Sequence, residues 1–412
     1  VISTEVAIVG AGISGLSTAL HLGALGTDAV ILEAGQRPAG ATAASAGLVA
    51  PQLVRTTPVG VLKRLGAERG ARLLRLVAEA GRYTFDLIAS EQIACAAQPH
   101  GFLRPVSGDG GVDQIRLLLE EWAPFRTDLR MAEAAEVRLI TGCEGYSAAL
   151  VDSSGGALDP VAYAQGLAAR LSPDRVQLFR GSAVISIQRE GSRWSLKTSD
   201  GVVLARTVVL CANGGNPGLH PSLAKTVLPL PVYQVATKPL PLSMRRTILP
   251  QGHALTDSST NVFSIRFDIE GRLITAAPAG APLGLYALSD QINQRLVSVI
   301  PSYQTTELDY AWRGTAWLNS NLLPRLVAVD EGFFAIQACN GRGLALTTVV
   351  GREMARRLTS TAGYETLVPL EKPRPVRGYS VARHVPGLMM LGASLERAVR
   401  NAPARLIGRS PP

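Results

Sequence analysis

Cysteine is scarce in this chain: Cys95, Cys143, Cys211 and Cys339 are the only four among 412 residues. They form no C-x-x-C pair and accompany no histidine pair at ligand spacing, so neither a disulfide framework nor a metal site is expected. Lysine is nearly absent, contributing only Lys63, Lys197, Lys225, Lys238 and Lys372 to the 41 basic residues. The net charge of +9 therefore rides on arginines, which are scattered and do not interleave with the few aromatics (5%). That pattern excludes a nucleic-acid partner but suits an acidic small substrate or an anionic membrane surface. Also missing are an apolar run long enough to span a bilayer, a basic-then-apolar leader pattern, low-complexity tracts and solenoid repeats. The expectation is a soluble, cytoplasmic protein of two domains, or one large domain carrying an insertion.

What is present starts at once. Val6-Ala-Ile-Val-Gly10-Ala-Gly12-Ile13-Ser14-Gly15 runs from an apolar strand through a glycine turn into a helix, and Ala29 to Leu32 is a second strand ending on Glu33 and Ala34. Gly10 permits the tight turn, Gly12 lets backbone approach a pyrophosphate, and Gly15 lets the helix pack on the strand. The phosphates then meet the positive end of the helix dipole. Gly26 stops the helix, and Glu33 sits where a carboxylate accepts hydrogen bonds from ribose hydroxyls. The unit is built for a dinucleotide without a 2′-phosphate.

Farther along, Gly40 to Gln52 is rich in small residues, including Thr42, Ala44, Ser45, Ala46, Gly47 and Leu48, and is expected to lie along a flat cofactor. Residues 60–90 carry helical apolar faces. Asp159-Pro160 opens a helix reaching Leu171, and Asp200-Gly201 turns a hairpin between short strands, the stretch Ala183 to Gln188 with Val184 among them. Thr207 to Cys211 is a buried strand ending in Ala212-Asn213-Gly214-Gly215. Beyond the prolines at 229 and 231, Val232 to Thr237, Phe263 to Phe267, Leu273 to Ala276 and Leu308 to Trp312 read as an antiparallel sheet in a separate layer. Near the end, Gly332 to Thr348 is a strand, a second glycine turn (Asn340-Gly341-Arg342-Gly343) and a helix beginning with Leu344 and Ala345. Two helix N-termini, one at each end of the chain, can serve the two ends of one long cofactor.

Taken together, the GxGxxG unit with Glu33, the Ala-Gly-Leu-Val-Ala-Pro loop, the strand into Cys-Ala-Asn-Gly and the Asn-Gly-Arg-Gly-Leu-Ala-Leu-Thr-Thr segment resemble the D-amino-acid-oxidase superfamily of FAD enzymes. The resemblance spans about residues 5 to 360, and the Trp312-Arg-Gly…Leu-Leu-Pro324-Arg stretch looks closest to the gamma-glutamylputrescine oxidase branch. It implies an α/β, doubly wound, glutathione-reductase-like FAD domain (1–94, 145–227 and 325–370), an inserted antiparallel-sheet substrate domain (95–144 and 228–324) and a C-terminal appendage (371–412). It also implies non-covalent FAD, since no cysteine lies between Cys211 and Cys339. The implied reaction is hydride transfer from an amine-bearing carbon to flavin N5, with O₂ as acceptor. Backbone N–H groups of Gly341, Arg342 and Gly343 would stabilise charge at the flavin N1–C2=O edge.

Relatives that oxidise amino acids are expected to carry an arginine for the substrate carboxylate after the tryptophan, but this chain reads Trp312-Arg313-Gly314-Thr315-Ala316. The substrate then either lacks an α-carboxylate or is held by another cation, Arg266 or Arg55. Of Tyr233 and Gln234, strand alternation should turn one to the flavin. Arg266 interrupts an apolar strand as a wet-face residue or a clamp; Trp312 walls the pocket or fills core; Gln52 reaches the ring or solvent. His21, between leucines, is structural. The C-terminal stretch with Leu388, Leu391, Leu395 and Val399 beside Arg397 and Arg400 should dock on the parent domain or on a second subunit of a homodimer. Peripheral membrane contact would instead suit an amino-acid or cyclic imino-acid dehydrogenase passing electrons to quinone. A flavin hydroxylase fits the second glycine turn poorly, and a non-enzymatic flavoprotein is the remaining alternative.

Overall fold

The computed structural model describes residues 1–259, 262–277, 285–360 and 363–400. Strand β1 (Ile2–Val9), helix α1 (Ile13–Ala24) and strand β2 (Ala29–Leu32) form the opening unit as the sequence implies. Gly26, at φ +76°, follows the end of α1, and its N–H reaches back to the Gly23 carbonyl. β1 lies at the centre of a nine-stranded sheet, parallel to β2 on one side and to Val202–Leu210 on the other. Phe333–Gln337 continues the parallel order beyond Val202–Leu210, and Arg325–Asp330 and Leu370–Glu371 complete that edge. Arg193–Lys197 pairs antiparallel with both Ser186–Glu190 and Val202–Leu210, and the Asp200-Gly201 turn that joins it to Val202–Leu210 is closed by the Thr198 N–H to the Gly201 carbonyl.

Helix α1 is held against this sheet by Ile13, Leu16, Ala19 and Leu20, which are buried among Ile8 and Ile31 of the strands, Leu73 and Val77 of helix Ala67–Ser90, and Val350 and Met354 of helix Gly343–Thr359. Each such fully buried aliphatic contributes roughly 1.5–3 kcal/mol. Asp159 caps helix Pro160–Ala169, its Oδ1 accepting from the N–H groups of Val161 (2.8 Å) and Ala162 (3.0 Å).

A second, eight-stranded sheet runs in the order Leu308–Leu318, Leu228–Pro239, Arg272–Ala276, Ser264–Phe267, Ala254–Thr256, Phe102–Val106, Ala148–Asp152, Leu129–Glu133. Two sequence expectations change here. Ala148–Asp152, assigned to the nucleotide domain, pairs with Phe102–Val106 and Leu129–Glu133. Its five residues are all buried, as an interior strand requires, so the boundary drawn at 145 moves beyond Asp152. The sheet is also not wholly antiparallel, because Ala254–Thr256 runs parallel to Phe102–Val106. Its core joins Leu103, Val151, Val235, Ile265 and Leu273 to Ile292 and Leu296 of helix Leu285–Val299. Between the two sheets, Leu48–Val49 pairs with Gly156–Ala157 and pins the small-residue loop.

The C-terminal stretch forms helix Val385–Arg400, which packs back on the parent chain, with Gly387 beside Pro231. The side chains of Leu395, Arg397, Val399 and Arg400 lie outside the described residues.

Candidate active site

One continuous cavity of about 1080 Å³ lies between the sheets, and residues from both glycine turns border it. That volume is at the upper limit of ordinary small-molecule pockets, about 1,000 Å³, as a dinucleotide requires. At the first turn Gly10, Gly12, Ile13 and Ser14 reach the cavity, and at the second Asn340, Gly341, Arg342, Gly343 and Leu344 do.

The glycines act as three different devices. Gly10, at φ +106°, faces the Cys211 carbonyl and the Ala212 N–H so closely that a Cβ would sit 3.0 Å from them. A Cβ on Gly15 would overlap the Gly10 carbonyl, and accordingly Gly15 packs behind the turn and does not border the cavity. On Gly12 it would meet only Thr42 Oγ1 at 3.5 Å, leaving open space where phosphate oxygens can approach the first amides of α1. Glu33 secures the turn from the other side: its carboxylate accepts from the Ala11 N–H (2.7 Å) and the Gly35 N–H (2.8 Å). Ala34, Thr42, Ala44, Ser45, Ala46, Leu48, Val184, Ala212 and Asn213 line the cavity as expected. Gly47, Gly214 and Ala345 do not. Gly47 is enclosed by the Leu158 carbonyl and Arg266, Gly214 lies against the Trp317 ring, and Ala345 is buried in its helix.

At the second turn the Asn340 Oδ1 accepts from the Asn319 N–H at 2.8 Å, while its Nδ2, buried at the cavity, has no partner among the described residues. The Arg342 N–H does not point outward: it donates to the Cys339 carbonyl at 2.9 Å, closing the turn. The amides left for a ligand are that of Gly341 and those of the first helical turn, which has no preceding turn to donate to. An orphaned amide donor, free helix-terminal amides and the space above Gly12 together fit the two ends of FAD.

The substrate candidates separate on inspection. Tyr233 and Gln234 both border the cavity, as do all residues from Leu230 to Gln234, so alternation does not select between them. The Gln234 Oε1 is buried without a partner among the described residues. Arg266 does not border the cavity: its Nε donates to the Ala46 carbonyl and its Nη1 to the Phe267 carbonyl (3.1 Å). Burial draws its pKa down to about 10, against the pull of Asp268 and Asp159. Trp312 does not border this cavity but, with Gly214 and Trp317, lines a smaller one of about 590 Å³ that shares Ala44, Ala212 and Asn213 with it; its indole N–H donates to the Ala44 carbonyl at 3.2 Å. Both side chains thus brace the small-residue loop from beneath. Gln52 is only 3% exposed and reaches neither the cavity nor solvent. Its amide lies 3.4 Å from Asp152 Oδ2 on one side and 3.4 Å from Arg342 Nη1 on the other, linking Arg342 to the buried Arg126–Asp152 ion pair. Arg55 borders the cavity but is exposed.

Sequence reasoning missed Arg104 and Asp257, both at the cavity. Arg104 interrupts the apolar run Gly-Phe-Leu-Arg-Pro-Val as Arg266 interrupts Phe-Ser-Ile-Arg-Phe. The same signal was there to be read. Asp257 accepts from the Phe263 N–H (2.8 Å), and burial raises its pKa above the usual carboxylate value. The C-terminal segment was missed as a wall: Ala382, Val385, Pro386, Met389 and Met390 close part of the cavity. Among the described residues no His/Cys/Asp/Glu cluster could hold a metal, and no helix is long and apolar enough to cross a membrane.

Comparison with known proteins agrees with this geometry. Residues 5–357 match the family model DAO, described as FAD dependent oxidoreductase. The chain is 26% identical over 366 residues to gamma-glutamylputrescine oxidoreductase of Escherichia coli (strain K12), covering 88% of this chain and 85% of that one. Its fold is similar to that of L-proline dehydrogenase from P. horikoshii (TM-score 0.73, 16% identity, 87% of this chain and 94% of that one). It is also similar to glycine oxidase from Geobacillus kaustophilus (TM-score 0.70, 19% identity, 88% and 96%). The match runs from the first strand to the end of the helix at the second glycine turn, and the chain therefore belongs to the DAO family of FAD-dependent oxidoreductases, with FAD as its cofactor.

Proposed function

We propose that this enzyme oxidises a C–N bond in an amine, with O₂ taking the electrons. The observation that supports this reading best is the wall formed by Tyr233 and Gln234, which faces the second helix N-terminus across one cavity and offers an unpartnered acceptor, Gln234 Oε1. An acceptor of that kind suits an amine N–H. Bound FAD would supply the hydride acceptor for the amine-bearing carbon, and water would hydrolyse the imine left behind.

The chain's own contribution is mainly placement. Gln234 Oε1 orients the amine, and the Asn340 Nδ2 and the first amides of helix Gly343–Thr359 offer donors where negative charge develops. The apolar C-terminal segment at Val385, Pro386 and Met389 narrows the way in and limits water. The amine must react unprotonated, and the arginine side chains bordering the cavity disfavour an ammonium ion there.

The names of the similar proteins support an amine or amino acid as substrate: gamma-glutamylputrescine oxidoreductase, glycine oxidase and L-proline dehydrogenase. The last of these favours a second reading, a dehydrogenase that passes electrons to quinone. Anaerobic mixing of the FAD-loaded protein with a panel of amines and amino acids tests the proposal. Bleaching of the flavin band by an amine is expected, and air should restore the colour at once. A loaded protein that none of the panel bleaches would overturn the C–N reading; slow reoxidation in air with rapid reoxidation by a quinone would replace the oxidase by the dehydrogenase.

A further inference from the structure

Arg104 stands on Phe102–Val106 and projects to the cavity half-buried. It makes no hydrogen bond or ion pair with any described residue, and its Nε is fully buried and unpartnered. Arg342, just before helix Gly343–Thr359, borders the same cavity. Its guanidinium lies 5.4 Å above the Phe102 ring and contacts the Gln52 Oε1 at 3.4 Å, neither of which is an anion. The two cations feel each other: after burial itself, the charge of Arg104 is what most lowers the pKa of Arg342, to about 10.

Such an arrangement is costly. Two like charges withdrawn from water repel, and each has lost hydration without a compensating ion. Neither the acids bordering the cavity, Glu33 and Asp257, nor Asp152, which does not border it, repays this. Glu33 is committed to the Ala11 and Gly35 amides at the other glycine turn. Asp257 is committed to Phe263 N–H and to the backbone and hydroxyl of Ser259, with Arg295 as the opposing charge acting on it. Asp152 attracts Arg342 but is itself saturated by Arg126 at 2.5 and 3.0 Å. The cavity thus holds a doubly cationic corner with guanidinium donors to spare, the donor geometry that matches a carboxylate.

We propose that Arg104 and Arg342 form the site for a carboxylate carried by the amine substrate. This rests on the C–N oxidation reading and gives it a substrate class. The substrate is a zwitterion-forming amino acid or an amine bearing a remote acid, held from the Phe102–Val106 strand and not from the Leu308–Leu318 strand, where Ala316 offers no cation.

Ligand binding to the oxidised, FAD-loaded protein tests this without turnover. Butyrate and butyramide differ in charge but hardly in shape, and either is followed by its perturbation of the flavin absorbance. Wild type should bind butyrate roughly tenfold or more tightly than butyramide, and the preference should shrink as chloride is raised. Arg104→Met should abolish the preference while retaining flavin, and Arg104→Lys should keep part of it. Equal affinity for the two probes in wild type would overturn the proposal, and so would an unchanged preference in Arg104→Met. Loss of flavin from both Arg104 variants, with equal butyrate and butyramide binding in wild type, would assign the arginine to the cofactor. If carboxylates bind as described yet no amine bleaches the flavin, the anion site stands and the C–N reading falls.

Discussion

The Ser17 hydroxyl donates to the Thr348 carbonyl at 2.7 Å across 331 residues of sequence. This bond joins the two helices whose N-termini open on one cavity, and Gly351 lets them touch: a Cβ there would sit 2.7 Å from Ser17 Cβ and 2.8 Å from the Ser14 carbonyl. The spacing of the two glycine turns is therefore set by a helix crossing, not by the loops themselves.

Gly351→Ala should force the helices apart. Overpacking of this kind costs about 1–3 kcal/mol. Because the strain falls on the carbonyl of Ser14, a residue of the first turn, flavin affinity should fall together with the melting temperature. Flavin retained through gel filtration, measured beside thermal unfolding, checks this; a variant that melts earlier but keeps its full flavin complement would show that the crossing does not set the cofactor site.

Arg266→Met should loosen FAD without altering charge selectivity. The substitution takes the Arg266 donor from the half-buried Ala46 and Phe267 carbonyls, of which Phe267 still accepts from Gln98 Nε2 at 3.4 Å, a loss of about 0.5–1.5 kcal/mol per bond. The small-residue loop would lose its strut, so the fitted dissociation constant for FAD should rise. The butyrate-to-butyramide ratio should stay at the wild-type value, and a collapsed ratio would return Arg266 to the substrate.

The contrast between Arg266 and Arg104 shows where sequence reading ends. The two glycine turns were legible because each depends on local chain geometry, a positive φ at Gly10 and a helix start after each turn, whereas the hold of Glu33 on the Ala11 and Gly35 amides was not read. The nine-stranded sheet followed from strands with continuous apolar runs. An arginine inside an apolar strand says only that something satisfies it. Whether that something is the Ala46 carbonyl or an outside ligand depends on which loop crosses above the strand, a contact 220 residues away for Arg266. Ala148–Asp152 escaped for a related reason: its partners, Phe102–Val106 and Leu129–Glu133, flank it in space but both precede it in sequence, set apart from it by helices and not by a tight hairpin turn.

Asp152→Asn should be among the most damaging single changes outside the cavity. Arg126 and Asp152 have side chains 3% and 0% exposed, and the carboxylate also accepts from Ser154 N–H (3.1 Å) and Ser154 Oγ (2.8 Å). Removing the Asp152 charge breaks a buried pair and leaves Arg126 with Asp128 (2.6 Å) as its remaining ion-pair partner among the described residues, at a cost of up to about 3–5 kcal/mol. Chemical denaturation should show this as a lower midpoint with unchanged slope. The double variant Arg126→Met/Asp152→Leu should recover part of the loss, and a double variant as unstable as the sum of the singles would argue that hydrogen bonds, not the stranded charge, dominate.

Acid should weaken the clamp on α1 through His21. Its Nδ1 donates to the Ser17 carbonyl (2.6 Å) and its Nε2 accepts from the Tyr83 hydroxyl (2.5 Å), an arrangement that needs the neutral ring. Burial lowers the His21 pKa from 6.5, the Ser17 carbonyl opposes this, and the charges of Arg352 and Arg356 add to the lowering. The unfolded chain therefore takes up the proton first. The stabilisation is complete above pH 6.5 and is lost progressively as pH falls from there toward the folded-state pKa. His21→Gln removes the titration, so the melting temperature of wild type should exceed that of the variant most at pH 8 and least at pH 5. A gap that stays constant between those pH values would mean that His21 keeps the same charge in the folded and unfolded chains.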